Sequence, residues 1–202
     1  MIDVIFGDVL YSNNLDLDTQ AIVKNMREPL KAEINKHKQT RSSDSSLYVL
    51  EEEQHKQLKS IINAELYNYA NNIMKYDADF KITTSWFTET DSMEQSQYHQ
   101  HQNSFISGVL YLNVNEDSGS ITFEDFRDEQ IKVPCTEYNV LNGNAYTVQP
   151  VNGLILLFPS KMWHIVNKNK SEHKRNSLAF NVMPFGTVGV PTADSHMRIK
   201  LI

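Results

Sequence analysis

Cysteine is almost missing from this sequence, which has Cys135 as its single thiol among 202 residues. One cysteine excludes an intrachain disulfide and favours a reducing compartment, where we expect Cys135 to be an inert strand or loop residue. Glycine and proline are scarce too, with 7 and 6 copies, while hydrophobic residues make up 40% of the chain. This composition predicts one ordinary globular domain with a sizeable core.

Long runs of one residue class are missing as well. No stretch approaches the ~18 consecutive apolar residues of a transmembrane helix, and the first residues lack the basic start and apolar run of a signal peptide. The chain has no long basic run and a net charge of −6, which argues against nucleic-acid binding as the main function but leaves a local basic patch open. We therefore expect a cytoplasmic protein that does not bind a membrane.

Two histidines in residues 97–123 form the first candidate site. In a β-strand successive side chains alternate between faces, so His99 and His101 would project the same way and could bind one metal ion together. An isolated histidine pair is more often structural than metal-binding, so the pair alone is weak support for a metal site.

The residues that follow these histidines alternate with period two, and both faces are largely apolar. Phe105, Ser107, Val109 and Tyr111 would lie on one face, and Ile106, Leu110 and Leu112 on the other. The pattern predicts that the strand carrying the histidines is central and buried on both sides.

A second group of polar residues follows later in the chain. His164 ends the segment GLILLFPSKMWH, and Arg175 opens the strand RNSLAFNVM eleven residues after it. On a strand Arg175 and Ser177 share a face, where a guanidinium fork and a hydroxyl could hold a carboxylate. The alternative interpretation is a surface arginine at the start of a strand.

The combination of a His-x-His pair, a distal histidine and an Arg-x-Ser pair resembles the signature of the 2-oxoglutarate- and Fe(II)-dependent oxygenases. The runs SGVLYLN and SGSITFED are similar to that superfamily's strand after the first ligands, and GLILLFPSKMWH with RNSLAFN to its closing strand pair. More narrowly, the pattern resembles a group of such oxygenases found in bacteria and their phages; a phage-encoded protein would act in the host cytoplasm. The resemblance covers residues 80–185 well and the first 75 residues only loosely.

The resemblance also implies cofactors and roles. It implies a hydroxylase that uses Fe(II), 2-oxoglutarate and dioxygen and couples decarboxylation of 2-oxoglutarate to succinate with oxidation of a substrate C–H bond. The implied metal ligands are His99, His101 and His164; the implied cosubstrate-binding residues are Arg175, Ser177 and Tyr111; the substrate-side candidates are Asn181, Trp86 and Asn103. Two of these have structural alternatives, since Asn181 could satisfy backbone groups and Trp86 could belong to the core.

His101 departs from the wider superfamily, in which most members carry Asp or Glu at this ligand. A carboxylate would leave the Fe(II) site with a charge of about +1, whereas three neutral imidazoles leave about +2, which should tighten the hold on anionic ligands. Zn(II) or Ni(II) would also bind such a site. If the fold supplies a carboxylate from elsewhere, Glu94, Glu124 and Asp125 are the nearest candidates in sequence.

The element pattern predicts a mainly β (α+β) fold, a double-stranded β-helix or jelly roll flanked by N-terminal helices. We expect a single domain over residues 1–202, with N-terminal helical support in 1–78, the jelly-roll core in 79–185 and a C-terminal tail in 186–202. Within it we expect an edge strand at 4–11, a helix capped by Asp16 or Asp18 that ends or kinks at Pro29, and a polar loop at 36–46.

Further along, an apolar stripe predicts a helix at 50–75 that packs on a sheet, followed by a strand at 80–88. The turn signal Asn142-Gly143 predicts a hairpin within 125–150. The tail at 188–202 is expected to pack on the N-terminal helices, with His196 structural or exposed.

Two other functions stay open at this point. The first is a three-histidine, cupin-like dioxygenase that does not use 2-oxoglutarate, which would have no need of a buried Arg175. The second is a non-catalytic phage or bacterial jelly-roll module, which would not retain metal. The substrate is not readable from the sequence, so a small molecule and a peptide side chain both stay open, as does a homodimer.

Overall fold

The computed structural model describes residues 7–27, 41–42, 47–125, 133–189, 192, 194 and 196–201. Its strands are β1 (Tyr11–Asn14), β2 (Arg41–Ser42), β3 (Asp79–Thr90), β4 (Ile106–Asn113), β5 (Ile121–Glu124), β6 (Ala145–Val148), β7 (Leu154–Pro159), β8 (Trp163–Val166), β9 (Arg175–Val188) and β10 (Met197–Ile199). Its α-helices are α1 (Thr19–Arg27) and α2 (Lys56–Tyr67). Short 3₁₀ turns at Val49–Glu51 and Glu53–His55 precede α2, and a π-helical turn at Asn68–Ile73 follows it.

The strands form two sheets. The large sheet has the order β1-β7-β4-β9-β3-β2, with β10 added to β9, and the small sheet has the order β6-β5-β8. An apolar cluster that includes Tyr111 of β4, Phe123 of β5 and Phe158 of β7 lies between the sheets. This arrangement is the jelly roll that the sequence predicted, with its interior between the two sheets.

Strand β4 is central, as its two apolar faces predicted. It pairs antiparallel with β7 on one side and with β9 on the other. Ile106 and Leu110 belong to the core under the helices, whereas Tyr111 belongs to the cluster between the sheets. The predicted start was wrong, because β4 begins at Ile106 and Phe105 lies outside it with its ring against Tyr76.

The helices cover the outer face of the large sheet. Leu58, Ile62 and Leu66 of α2 are buried, so the predicted apolar stripe is confirmed, although the helix is shorter than residues 50–75. Helix α1 begins after Asp18, whose Oδ1 accepts a hydrogen bond from the Ala21 N–H at 3.0 Å, as a helix cap does. Pro29 lies outside the described residues, and so does the loop at 36–46 apart from residues 41–42.

The chain termini differ from the sequence-based expectation. Residues 4–6 of the expected strand at 4–11 lie outside the described residues, and the observed edge strand is β1, which pairs with β7. The tail adds β10 to the end of β9 instead of packing on the helices, and His196 is exposed. The segment expected to give helical support therefore also supplies two strands of the large sheet.

Strand β6 pairs antiparallel with β5. The hairpin was expected within 125–150, but β5 ends at Glu124, so only one of its two strands lies in that range, and residues 126–132 lie outside the described residues. Among the described residues, no helix is both long enough and apolar enough to span a membrane.

Candidate metal centre and carboxylate-binding cavity

His99, His101 and His164 come together at one end of the space between the sheets. Their nearest ligand nitrogens all lie within 4.8 Å of one another. His164 lies on β8, and His99 forms an antiparallel bridge opposite it, with backbone N···O distances of 3.0 and 2.9 Å. His101 follows in a loop that is fixed by a hydrogen bond from its backbone N–H to the Ser160 carbonyl at 3.0 Å.

The expectation that His99 and His101 share a face of one continuous strand is therefore wrong. His99 has a single β-bridge, and the chain leaves it to turn at 102–103 before β4 begins. The two imidazoles meet because β8 holds His99 and the Ser160 carbonyl anchors the loop at His101. The two-residue spacing correctly predicted that His99 and His101 lie close together, but a loop, and not a continuous strand, brings them together.

Backbone carbonyls orient two of the imidazoles. Nδ1 of His99 lies 2.7 Å from the Gln97 carbonyl oxygen, and Nδ1 of His164 lies 2.9 Å from the Met162 carbonyl oxygen. A carbonyl oxygen can only accept, so Nδ1 must carry the proton on both rings. The lone pair is then on Nε2 in each ring, which is the arrangement that a metal-binding histidine requires.

His164 is the most deeply buried of the three histidines. It is 3% exposed and packs against the rings of Phe123 and Phe158. Burial, together with the nearby His99, lowers the pKa of His164 from 6.5 to about 4, although its hydrogen bond to the Met162 carbonyl opposes this shift. The ring is neutral at physiological pH and therefore available as a ligand.

The histidine cluster contains no carboxylate among the described residues. Glu94 is directed elsewhere, since its Oε2 accepts a hydrogen bond from the Asp91 N–H at 2.8 Å. Glu124 and Asp125 are exposed at the end of β5. None of the three acids named from the sequence joins the cluster, which leaves a donor set of three neutral imidazole nitrogens.

Arg175 lies deeper in the same cavity. The side chain is 3% exposed, and its Nη1 donates to the carbonyls of Ser118 at 2.8 Å and Asn167 at 3.0 Å. Its Nη2 donates to Thr90 Oγ1 at 3.2 Å. These neutral acceptors fix the guanidinium but leave its charge uncompensated, and burial lowers the pKa of Arg175. The remaining N–H donors are suited to an anion.

Tyr111 supplies a second observation that points to an anion. It lies opposite Ser177 across the β4–β9 pair, and both residues line the cavity with Arg175. Its hydroxyl is buried and has no hydrogen-bond partner among the described residues. Burial raises the pKa of Tyr111, so the group is a neutral donor. An arginine fork and an orphaned hydroxyl together fit a carboxylate.

The histidines and Arg175 share one cavity of about 550 Å³. Asn181 and Trp86 also line it, so Trp86 is a wall residue with its ring centroid 5.8 Å from that of His101. Asn103 is outside this wall: it is exposed and has a φ of 54° in the turn after His101, a conformation that asparagine tolerates. Asn103 thus does not line the described cavity, and its substrate-side role stays a prediction.

Sequence reasoning missed the groups that position the site. These are the carbonyls of Gln97, Met162, Ser118 and Asn167 and the hydroxyl of Thr90. Four of the five are backbone atoms, and every residue type carries a backbone carbonyl. No signal in residue type could therefore have identified these four carbonyls.

The donor set and the cavity fit Fe(II) and 2-oxoglutarate. Imidazole nitrogen suits iron, zinc and nickel in proteins. No described residue with an acidic side chain is part of the cavity wall, so the cavity attracts a dianionic ligand instead of repelling it.

Comparisons with known proteins agree with this geometry. Residues 84–181, which contain the three histidines and Arg175, match the model of a family described as "Putative 2OG-Fe(II) oxygenase". No curated protein matches the sequence.

Solved structures share the fold at low sequence identity. A Pseudomonas putida prolyl-4-hydroxylase is 18% identical with a TM-score of 0.59, covering 85% of this chain and 91% of its own. HygX from Streptomyces hygroscopicus, solved with nickel and 2-oxoglutarate bound, is 9% identical with a TM-score of 0.60, covering 87% and 82%. The α-ketoglutarate-dependent epimerase SnoN from nogalamycin biosynthesis is 12% identical with a TM-score of 0.64, covering 93% and 83%.

Residues 84–181, which hold the candidate site, thus match the family of 2-oxoglutarate- and Fe(II)-dependent oxygenases, and the chain has the fold of the solved structures above.

Proposed function

We propose that this protein is a 2-oxoglutarate-dependent oxygenase in which His99, His101 and His164 hold Fe(II). Arg175, Ser177 and Tyr111 bind the distal carboxylate of the cosubstrate, and Asn181 and Trp86 line the substrate side. The chemistry supplied by the bound metal, 2-oxoglutarate and dioxygen is oxidation of a C–H bond coupled to decarboxylation to succinate. The substrate is a small molecule or a peptide side chain.

The contribution of the chain itself is placement. The carbonyls of Gln97 and Met162 keep Nε2 of His99 and His164 directed at the metal position. The carbonyls of Ser118 and Asn167 fix Arg175, so that the fork is already oriented before a carboxylate arrives. Phe158 and the other apolar wall residues exclude water around the histidines, which strengthens every charge interaction there.

One observation carries this proposal: a buried arginine and an orphaned tyrosine hydroxyl share a cavity with three convergent histidines. A three-histidine dioxygenase without 2-oxoglutarate would bury the charge of Arg175 for no ligand. Such a buried charge costs several kcal/mol unless it is paired. The carboxylate of 2-oxoglutarate is the pairing group that the proposal supplies.

Metal content tests the histidines. The purified protein should bind one divalent ion per chain, and His99→Ala and His164→Ala should each lose most of it in elemental analysis. His196→Ala is the matched control, because His196 is exposed on the tail. Unchanged metal content in both site variants would place the ion elsewhere, and a wild-type protein that binds no metal would favour a non-catalytic module.

Calorimetric titration with 2-oxoglutarate tests Arg175. With Mn(II) in place of iron and without oxygen, Arg175→Lys should weaken binding about ten- to a hundredfold, or roughly 1–3 kcal/mol, because lysine keeps the charge but loses the fork. Arg198→Lys, on exposed β10, is the control and should bind as the wild type does. Equal affinity in Arg175→Lys and wild type would favour a three-histidine enzyme that does not use 2-oxoglutarate.

A turnover assay addresses the substrate. Succinate formation from 2-oxoglutarate would be measured with and without Fe(II), in the presence of pooled metabolites or peptides. A pool that raises succinate formation in an Fe(II)-dependent manner contains the substrate class, and fractionation of that pool identifies it.

A further inference from the structure

A row of hydroxyl groups lies behind the cavity wall at Asn181. Ser104 Oγ lies 2.9 Å from the Ile106 carbonyl oxygen and 2.8 Å from Ser160 Oγ. Ser160 Oγ lies 2.8 Å from Ser107 Oγ, which lies 3.0 Å from the carboxamide of Asn181. Ser107 and Ser160 are each 1% exposed. The row therefore consists of four short polar contacts in sequence, shielded from solvent at its centre.

The protons available to this row determine its direction. Each serine hydroxyl has one proton to donate. Ser104 Oγ also lies 3.3 Å from the Val182 carbonyl oxygen. The Ile106 and Val182 carbonyls can only accept, so the proton of Ser104 is donated to a carbonyl and not to Ser160. Ser160 must then donate to Ser104, because no other proton is available for their 2.8 Å contact. By the same reasoning Ser107 donates to Ser160.

The contact between Ser107 and Asn181 needs a proton from Asn181. Three hydroxyl protons serve the first three contacts, which leaves Ser107 Oγ able only to accept. The carboxamide end assigned as Oδ1 lies 3.0 Å from this oxygen, and two acceptors at that distance would repel each other. A half turn of the amide exchanges its oxygen and nitrogen in place and restores the hydrogen bond.

We propose that Asn181 donates its side-chain N–H to Ser107 and presents its carbonyl oxygen to the cavity, which makes it a specificity-determining residue. An oxygen in that position accepts a hydrogen bond from a ligand but cannot donate one. The wall therefore selects a ligand with an N–H or O–H group at this point and disfavours one with a carboxylate or carbonyl there.

This inference extends the proposed function, since it concerns the substrate side of the same cavity. Asn181 lies beside Thr84 in the β3–β9 pair, and Trp86 is two residues further along β3. All three line the cavity. Trp86 offers no acceptor and the Thr84 hydroxyl can both donate and accept, so of these three residues Asn181 presents the group that can only accept.

A double-mutant cycle tests the direction of the row without any ligand. In Asn181→Asp the new carboxylate has no proton to offer Ser107, so at pH 8 the Tm should fall by about 3–10 °C. Ser160→Ala removes the hydroxyl oxygen that accepts the hydrogen bond from Ser107. Ser107 can then donate to the carboxylate, and the double variant should recover most of the Tm that Asn181→Asp loses.

A matched control is Ser85→Ala, because Ser85 is equally buried on β3 but accepts from the Leu50 N–H, outside the row. The Tm losses of Ser85→Ala and Asn181→Asp should add in the double variant, with no recovery of Tm. If adding Ser160→Ala to Asn181→Asp does not recover the lost Tm either, Asn181 presents its oxygen to Ser107 and the proposal is wrong.

Hydrogen exchange of the Asn181 side-chain amide is a second test, and it uses proteins that retain Asn181. In the wild type, NMR should show one side-chain N–H of Asn181 exchanging slowly, because it is bonded to a buried hydroxyl. Ser107→Ala should make that proton exchange at least about tenfold faster, while Ser85→Ala should not. Fast exchange of both protons in the wild type would overturn the proposal. Neither experiment requires metal or 2-oxoglutarate, so failure here is distinct from failure of the proposed oxygenase activity.

Discussion

At the scale of single residues, Tyr111 connects the packing of the cavity wall with the proposed ligand binding. Its hydroxyl is buried on the cavity wall without a partner among the described residues, in the field of Arg175. A buried hydroxyl without a hydrogen bond destabilises the protein by ~1–3 kcal/mol relative to a solvated one. Under the proposed function, the carboxylate of the bound cosubstrate would satisfy this hydroxyl.

The Tyr111→Phe variant should therefore have opposite effects on stability and on binding. Loss of the unsatisfied hydroxyl should raise the free energy of unfolding of the ligand-free protein by about 1 kcal/mol, as measured by urea denaturation. The same change should weaken 2-oxoglutarate about tenfold in calorimetry, because one donor to the carboxylate is lost.

Tyr69→Phe is the matched control for that variant. The Tyr69 ring is as deeply buried, but its hydroxyl donates to the Val9 carbonyl at 3.0 Å. Its loss should lower stability and leave 2-oxoglutarate affinity unchanged. A Tyr111→Phe protein that is destabilised, with normal 2-oxoglutarate affinity, would assign Tyr111 to the core.

In the proposed metal site, the residue at position 101 decides whether the ligand set is neutral or carries one negative charge. His101→Asp, or His101→Glu if a longer reach is needed, should retain iron, because a carboxylate is also an iron ligand. It should lower the affinity for 2-oxoglutarate by about tenfold or more, since the site loses one unit of positive charge next to an anion. Succinate formation at saturating 2-oxoglutarate should be kept or raised.

Elemental analysis and titration of the His101 series check this prediction. His101→Ala is the comparison that removes the ligand without adding a charge, and it should bind less metal than either acid. If His101→Ala folds and retains full metal and full 2-oxoglutarate affinity, His101 is not a ligand.

At the scale of elements, β4 carries Tyr111 and β9 carries Arg175, Ser177 and Asn181, and the tight packing of these two strands can be tested at Gly108. A Cβ atom added there would lie 2.2 Å from Cζ of Phe180 and 2.8 Å from Cδ2 of Leu157. Gly108→Ala should therefore lower the free energy of unfolding by about 1–3 kcal/mol. Adding Phe180→Leu should recover part of that loss, because the shorter side chain makes room.

Gly186→Ala is the control for Gly108, since a Cβ there would meet nothing within 4 Å but the φ of 86° disfavours it. Its cost comes from the backbone alone and should be unaffected by Phe180→Leu. If Gly108→Ala unfolds at the same denaturant concentration as the wild type, β4 and β9 are packed less tightly than the structure indicates.

The elements differ in how far residue pattern could predict them. The apolar stripe of α2 and the two-sided burial of β4 follow from side-chain periodicity, which the sequence displays directly. The candidate site was predicted from the residue types of His99, His101, His164 and Arg175 and from their spacing. The loop that places His101 could not be predicted, because it depends on a hydrogen bond to the Ser160 carbonyl. The same holds for β10, whose pairing with β9 follows from a reversal of the chain and not from a residue pattern.

At the scale of the whole molecule, charge is unevenly distributed. The chain has a net charge of −6, yet the described cavity wall has no acidic side chain and contains Arg175. Two acidic residues close in sequence to the cavity residues Thr90 and His99 have other partners. Glu89 binds Lys174, and Glu94 accepts a hydrogen bond from the Asp91 N–H. The negative net charge therefore does not extend to the described cavity wall, which can still attract an anion.

The buried histidine makes global stability depend on pH. The pKa of His164 is about 4 in the folded protein against 6.5 when solvated, so the unfolded state binds more protons between these values. The free energy of unfolding of the metal-free protein should be highest above pH 6.5. It should fall by up to about 3 kcal/mol as the pH drops towards 4. His55 is also buried with a lowered pKa, so it adds to the loss in the same direction.

Urea unfolding in the presence of a chelator, repeated from pH 8 to pH 4, measures this dependence. His164→Asn removes the buried imidazole and should flatten the curve between pH 6.5 and 4, and His55→Asn should flatten it further. The control His196→Asn, at an exposed position, should reproduce the wild-type curve. A His164→Asn protein with the same loss of stability as the wild type would show that His164 is not held neutral in the folded state. The orientation of its ring through the Met162 carbonyl would then need another explanation.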